Sequence, residues 1–250
     1  MRTVAIIQAR MGSSRLPGKV LMPIGRRSML AEVVAAAAAA RSIDQVVVAT
    51  TDEPLDEQVA GEAAAAGAGV FRGDTHDVLR RYLGAARAFH ADVVVRVTAD
   101  CPLLDPEVID AVVGALLDGE PADYVSNTHV RSFPRGLDVE AMHRDVLARL
   151  ARLARSPAAR EHVTAHLMEM PRRFVIRQVV AEHDDADLRL TVDTEADLRL
   201  VRRVWADLDL DRGRRSYRDV VDHLRHHPDL AALNREVEQK SWASAEVQHG

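Results

Sequence analysis

Between Gln8 and Lys19 the chain reads QARMGSSRLPGK, a stretch with Arg10, Arg15, Lys19, Gly12 and Gly18 and no acid. The bias runs wider than the loop. From Met1 to Ala31 there is no Asp or Glu, yet Arg2, Arg10, Arg15, Lys19, Arg26 and Arg27 accumulate in a chain of formal net charge -5. Glycines let backbone N–H groups approach anionic oxygens, and arginine forks grip such oxygens at two points. The chemistry this suits is holding a di- or triphosphate, although charge alone equally suits a solvated basic loop. Spacing excludes two familiar phosphate loops. A Walker loop needs four residues between its glycines and Ser or Thr after the lysine, whereas here five residues separate Gly12 from Gly18 and Val20 follows Lys19. The dinucleotide fingerprint G-x-G-x-x-G is absent.

Such a loop acts only where the fold puts it. Open parallel sheets bind ligands beyond the carboxyl ends of their strands. Short β-branched runs predict buried strands at Thr3–Gln8, Gln45–Thr50, Val70–Phe71 and Asp92–Val97. Helical patterns alternate with them at Met29–Arg41, Asp56–Ala66, Asp77–His90 and Glu107–Leu117, the last with Asp105 as N-cap before Pro106. This alternation predicts an α/β fold with a mostly parallel central sheet flanked by helices. After Gly119 the rhythm changes. Strands are expected at Tyr124–Ser126, Leu137–Glu140, Phe174–Val180 and Leu188–Val192. Helices are expected at His143–Ala154, Pro157–Met168, Glu195–Leu208 (capped by Thr194) and Ser216–Leu224. Residues 239–250 read as a loose tail.

Composition narrows the class. A length of 250 residues suits one domain. Aromatic residues are 4%, so the core must be mostly Val, Leu, Ile and Ala. The acidic balance argues against general nucleic-acid affinity. One cysteine, Cys101, allows no internal disulfide and no Cys-rich zinc site, which fits a reducing compartment. No apolar stretch is long enough to span a bilayer, and strand-like sequence from Thr3 leaves no room for a signal peptide. The expectation is a cytoplasmic protein with no nucleic-acid or membrane partner.

The loop then gains a specific likeness. IIQARMGSSRLPGKVL resembles the signature of the cytidylyltransferase family that includes the spore-coat polysaccharide proteins, with CMP-Kdo synthetase and acylneuraminate cytidylyltransferase similar but more distant. The likeness continues, in the family's order, through VVVATTD (46–52), VFRGDTHDVLRRY (70–82), VRVTADCPLLDPEVID (95–110), DYVSNT (123–128), FPRGLDVE (133–140), REHVT (160–164) and LTVDTEADL (190–198). It implies a glycosyltransferase-A-like nucleotide-diphospho-sugar transferase fold: one nucleotidyltransferase domain over residues 1–238, with a smaller acceptor or dimerisation lobe inserted at about 120–185. It implies transfer of CMP from CTP to an acidic sugar with Mg²⁺, release of pyrophosphate, and a homodimer.

The resemblance also implies roles. Arg10 and Lys19 would neutralise the phosphates in the reaction. Gln8, Ala9, Gly12, Ser13 and Arg15 would line the nucleotide with them, joined by Arg72 of the RGD stretch and by Thr98 and Ala99. Asp100 and Asp193, each at the carboxyl end of a predicted strand, would share the metal ion. Asp100 alone also reads as a turn former before Pro102, and Thr194 is the better helix cap, which frees Asp193. Arg135, Asp138, Glu140, Glu161 and His162 would approach the acceptor, or knit the inserted segment together. The family's sugar-acid enzymes carry a glutamine-containing stretch where this chain has Thr98-Ala99, so the base is cytosine by resemblance alone. The rival readings are a non-catalytic nucleotide-binding protein and a glycosyltransferase. The triphosphate-type loop opposes the second. Cys101 reads as a small buried side chain, and His223, His226 and His227 as a solvated helix end.

Overall fold

The computed structural model describes residues 1–169 and 171–239. Strand β1 (Thr3–Gln8) is an apolar run buried on both faces, as an interior strand of a parallel sheet requires. A small hairpin, β2 (Pro23–Ile24) and β3 (Arg27–Ser28), leads into α1 (Met29–Ala39). The Ser28 hydroxyl caps α1 by accepting from the Ala31 N–H. Ala36 and Ala37 are fully buried, so the alanine run is a close-packing face. The alternation continues with β4 (Gln45–Thr51), α2 (Glu57–Ala65), β5 (Gly69–Gly73), α3 (Val78–Ala88), β6 (Val93–Thr98) and α4 (Pro106–Leu117). Next come β7 (Tyr124–Ser126), β8 (Glu140–His143), α5 (Arg144–Leu153), α6 (Pro157–Glu161), α7 (Ala165–Glu169) and β9 (Ile176–Gln178). The chain then forms α8 (Glu195–Asp207), α9 (Tyr217–His226) and α10 (Pro228–Ala231).

The seven-stranded sheet has the order β5-β4-β1-β6-β8-β7-β9. From β1 the chain builds outward through β4 to β5, then returns to place β6 on the other side of β1. The strand order therefore reverses between β1 and β6, and a crevice opens beyond their carboxyl ends. Pairing of Gln8 with Thr98 brings those two ends level. Residues 120–185 add β7, β8 and β9 to the far side of the same sheet, where β8 runs antiparallel to both neighbours. Apolar clusters fill both faces, and a third gathers Ile24, Leu190, Val192 and the inner faces of α8 and α9. No helix among the described residues is long and apolar enough to cross a membrane.

Three expected elements change. Leu188–Val192 is extended but joins no named strand. Leu188, Leu190 and Val192 are buried at period two, while the backbone bonds to loops: Leu190 N–H to Arg135 C=O and Val192 N–H to Asp100 C=O at 2.8 Å. The alternation that predicted a sheet strand reports packing on α8 and α9 instead. The strand expected at Leu137–Glu140 begins only at Glu140. Before it, the Asn127 side chain takes the place of a ladder, donating to Leu137 C=O at 2.7 Å and accepting from Val139 N–H at 2.9 Å. The helix expected at Pro157–Met168 breaks into α6 and α7 at Val163, whose φ is +51°. Of the tail, residues 240–250 lie outside the described residues.

Gly136 is where the 133–139 loop presses on the 188–192 segment. Its φ is +108°, and a Cβ there would lie 2.4 Å from Thr191 N and 2.6 Å from Leu190 C. Both obstacles are backbone. Gly136→Ala is expected to destabilise the fold by about 2–3 kcal/mol, from strain plus backbone displacement, read as a lowered urea midpoint. An unchanged midpoint would mean that this contact yields freely.

Candidate phosphate-binding site

The loop after β1 is closed on itself before it reaches any ligand. Met11 C=O accepts from Ser13 N–H at 2.8 Å and Gly18 N–H at 3.0 Å, and Met11 N–H donates to Asp56 Oδ1 at 2.7 Å. Gly18, at φ +70°, turns the chain into a short 3-10 turn over Lys19–Leu21. That turn drives Lys19 inward until the residue is 8% exposed. Its ammonium spends all three donors: on Asp100 Oδ2 at 2.7 Å, Val192 C=O at 2.8 Å and Asp193 Oδ1 at 2.9 Å. Three segments far apart in sequence thus meet at one nitrogen.

Asp193 is gripped from the other side as well. Its Oδ2 lies 2.9 Å from Arg15 Nη2 and 2.7 Å from Arg189 Nη2. Arg189 also donates through Nε to Asp197 Oδ1 at 2.8 Å. Asp197 is fully buried, completes a capping box with Thr194 at the start of α8, and accepts from the Asp193 N–H and from Asn234 Nδ2. Thr194 is therefore the cap, and Asp193 is left to face the loop. Three acids and three bases balance here. Burial pulls the Lys19 pKa down, but the charges of Asp100 and Asp193 outweigh it and the net direction is up. Burial raises Asp193, and Lys19, Arg15 and Arg189 more than reverse that, so its carboxyl is held below the ordinary value.

These residues border an open cleft of about 290 Å³ at the β1/β6 crevice. Gln8, Ala9, Arg10, Gly12 and Ser13 form one wall, and Thr98, Ala99 and Asp100 the facing one. The Thr98 hydroxyl donates to Asp100 Oδ1 at 2.6 Å. Arg10 stays partly exposed, 3.9 Å from Glu161. The structure does not bring Arg72 to this cleft: it sits on edge strand β5, where its guanidinium bonds Thr51 C=O, Glu53 C=O and Glu57. Cys101 is buried, and burial pushes its thiol well up, which suits packing rather than nucleophilic attack.

The residues expected near an acceptor separate into groups. Glu140 opens β8 directly opposite Arg96 of β6 and is paired with Arg96 Nη1 at 2.7 Å. His162 stands half-buried at the break between α6 and α7, and burial lowers its pKa. Asp138 is held in a two-point bond with Arg131, at 2.7 and 3.1 Å. Arg135 lines a different cavity, beyond Arg189. Sequence reasoning missed Arg96, Arg189 and Asp197. For the last two the signal was present in RLTVDTEAD, where Arg189, Asp193 and Asp197 recur at four-residue spacing.

As a chemical device, the site offers a cationic loop to phosphate and two carboxylates 2.7 and 2.9 Å from one ammonium. The donor set is oxygen only, which fits a hard divalent ion and not zinc. Among the described residues no group of three or more Asp, Glu, His or Cys forms a self-contained metal site. An ion here would take its remaining ligands from phosphate and water.

A profile described as cytidylyltransferase matches residues 4–206 of the chain. The spore coat polysaccharide biosynthesis protein SpsF of Bacillus subtilis is 32% identical over 240 residues, 93% of this chain and 98% of that protein. Among solved structures, a cytidylyltransferase from Leptospira borgpetersenii serovar Hardjo-bovis superposes with TM-score 0.87 at 31% identity, over 96% of this chain and all of that one. CMP:2-keto-3-deoxy-manno-octonic acid synthetase complexed with CTP shares the fold, with TM-score 0.66 at 22% identity, over 83% of this chain and all of that one. So does Rv0371c of Mycobacterium tuberculosis in complex with manganese, with TM-score 0.59 at 20% identity, over 81% of this chain and 99% of that one.

Proposed function

Because the chain belongs to the cytidylyltransferase family, we propose that it transfers CMP from CTP to an acidic small molecule such as a sugar acid, releasing pyrophosphate. The observation that carries this reading is the convergence of Lys19, Asp100 and Asp193 at the sheet's switch point, under a loop that also presents Arg10 and Arg15. An acceptor hydroxyl oxygen forms a bond to the α-phosphorus, the bond from that phosphorus to the α,β-bridging oxygen breaks, and the hydroxyl proton passes to solvent. Negative charge grows on the non-bridging oxygens and on the leaving pyrophosphate. Fixed cations aimed at that charge do most of the work in such reactions. Arg10 and Arg15 hold the phosphate tail, and Lys19 stands at the carboxylates. Asp100 and Asp193 would hold Mg²⁺, which screens phosphate charge when bound. A CTP complex and a manganese complex among proteins of this fold support the nucleotide and the divalent ion.

The acceptor is proposed to lie over Glu140, Glu161 and His162. Gln8 Oε1, Arg96 Nε, Glu140 Oε2 and His162 Nε2 are buried and have no hydrogen-bond partner among the described residues. Buried polar atoms are normally satisfied, and a hydroxylated molecule would supply both donors and acceptors. The test is pyrophosphate release with each of the four nucleoside triphosphates and Mg²⁺, against acceptors that include 2-keto-3-deoxy-manno-octonic acid. Release with CTP and an acid acceptor is the expected result. Binding of UDP-sugars with no release from CTP would sink the reading. Glu140→Gln is expected to raise the acceptor KM about tenfold, the value of a hydrogen bond to a charged group, and to leave the CTP KM unchanged.

A further inference from the structure

Arg135 and Arg189 form an isolated parallel bridge, so their side chains leave the backbone on the same side. Arg189 turns to Asp193 and Asp197. Arg135 instead lines a cavity of about 310 Å³ that Arg189 separates from the phosphate cleft. Among the described residues the Arg135 guanidinium has no hydrogen bond and no ion pair. Asp138, its nearest acid in sequence, is taken by Arg131. Burial first, then the like charge of Arg131, hold its pKa below the usual guanidinium value, against a smaller opposing pull from Asp138 and Asp193. Arg235 stands on another wall of the same cavity, with no side-chain hydrogen bond or ion pair among the described residues, although its charge reaches Asp187. The acidic wall residue is Asp187, and Arg225 occupies its carboxylate with bonds of 2.7 Å while also holding Asp185. Leu224, Pro228 and Ala231 complete an apolar floor.

A half-buried, unpaired arginine is costly unless a counter-charge arrives. We propose that this cavity is a second anion site, which binds the phosphate or carboxylate group of a small metabolite between Arg135 and Arg235, its carbon body resting on Leu224 and Pro228. Arg189 lines this cavity and also donates to Asp193. The proposal goes beyond CMP transfer and stands without it.

The test uses the full chain labelled with ¹⁵N-arginine, whose side-chain Nε–H resonances are followed during titration with inorganic phosphate. Arg135→Gln, Arg235→Gln, Arg10→Gln and Arg15→Gln assign the signals. Arg135 and Arg235 are expected to shift together with one midpoint, separate from that of Arg10 and Arg15. Arg235→Gln changes an exposed side chain and leaves the fold intact, and it is expected to weaken the Arg135 midpoint about tenfold. If only Arg10 and Arg15 respond, the cavity is no anion site, while the cleft still is. If none of the four responds, or if Arg235→Gln leaves the Arg135 midpoint in place, the proposal also falls. A second arm adds 2-keto-3-deoxy-manno-octonic acid. Its displacement of phosphate from Arg135 and Arg235 would make the cavity the receptor for the acceptor's acid group. Persistence of bound phosphate would make it a site for a separate metabolite. Both results support an anion site.

Discussion

Lys19→Met is expected to lower turnover by about 10³-fold or more, the scale of removing one fixed charge from a preorganised site, and to destabilise the fold by about 3–5 kcal/mol near neutral pH. The variant keeps the length and apolar stem of lysine and removes only the ammonium. Asp100 Oδ2 then loses its partner at 2.7 Å, and Asp193 Oδ1 its partner at 2.9 Å, inside a mostly buried cluster. Asp193 keeps Arg15 and Arg189, so the greater harm falls on Asp100.

The pH dependence separates lost charge from lost packing. The Asp193 pKa is depressed below its ordinary 3.8, so its contribution to stability is present above that value and fades as pH falls through the folded pKa. The Lys19 pKa is raised above 10.5, so its contribution is complete below that value and fades as pH rises through the folded pKa. In the parent protein the pair therefore stabilises the fold across the whole window between those limits. The variant's deficit should be largest inside that window and shrink on acidification, as Asp193 takes up a proton. Urea unfolding across pH reads this directly. A deficit that persists unchanged in acid would assign the loss to packing.

Much of this arrangement could be read before the fold was seen, and the parts that could not share a cause. β1, β4 and β6 are short apolar runs buried on both faces, a pattern set by local composition. The loop that follows β1 announces itself by charge bias and glycine spacing. Asp100 and Asp193 could be placed at strand ends, but nothing in the 92 intervening positions of sequence states that one ammonium joins them; that is a property of the β1/β6 crevice and of Val192 hydrogen-bonded to Asp100. The 188–192 segment misled because period-two burial arises wherever an extended chain has one apolar side, whether or not a neighbouring strand completes a ladder. Arg72 and Arg135 are cations of the kind the chemistry wants, yet each is directed by its own neighbours: Arg72 to Glu57 at the sheet edge, Arg135 to the cavity beyond Arg189. Residue type gave their chemistry and only tertiary geometry gave their address.

Geometry also predicts that the two carboxylates will not respond alike to the same conservative change. At Asp100, Oδ2 accepts from Lys19 and Oδ1 accepts from the Thr98 hydroxyl at 2.6 Å. An asparagine there can keep both contacts: its carbonyl faces Lys19, and its amide donates to a hydroxyl that rotates to accept. Asp100→Asn is thus expected to unfold within about 1 kcal/mol of the parent while pyrophosphate release with CTP and Mg²⁺ falls about 10³-fold, because one negative charge is gone from the proposed metal pair. At Asp193, Oδ1 faces Lys19 and Oδ2 faces both Arg15 and Arg189. Whichever way an asparagine is turned, its amide donor points at cations that only donate. Asp193→Asn should lose a comparable factor in turnover and, in addition, about 3–5 kcal/mol of stability. Paired urea titrations and pyrophosphate assays on the two variants decide the matter. Full turnover in Asp100→Asn would remove that carboxylate from the reaction centre, and equal stability losses would mean that the Arg15–Arg189 clamp on Asp193 carries no more of the fold than the Thr98 hydroxyl does.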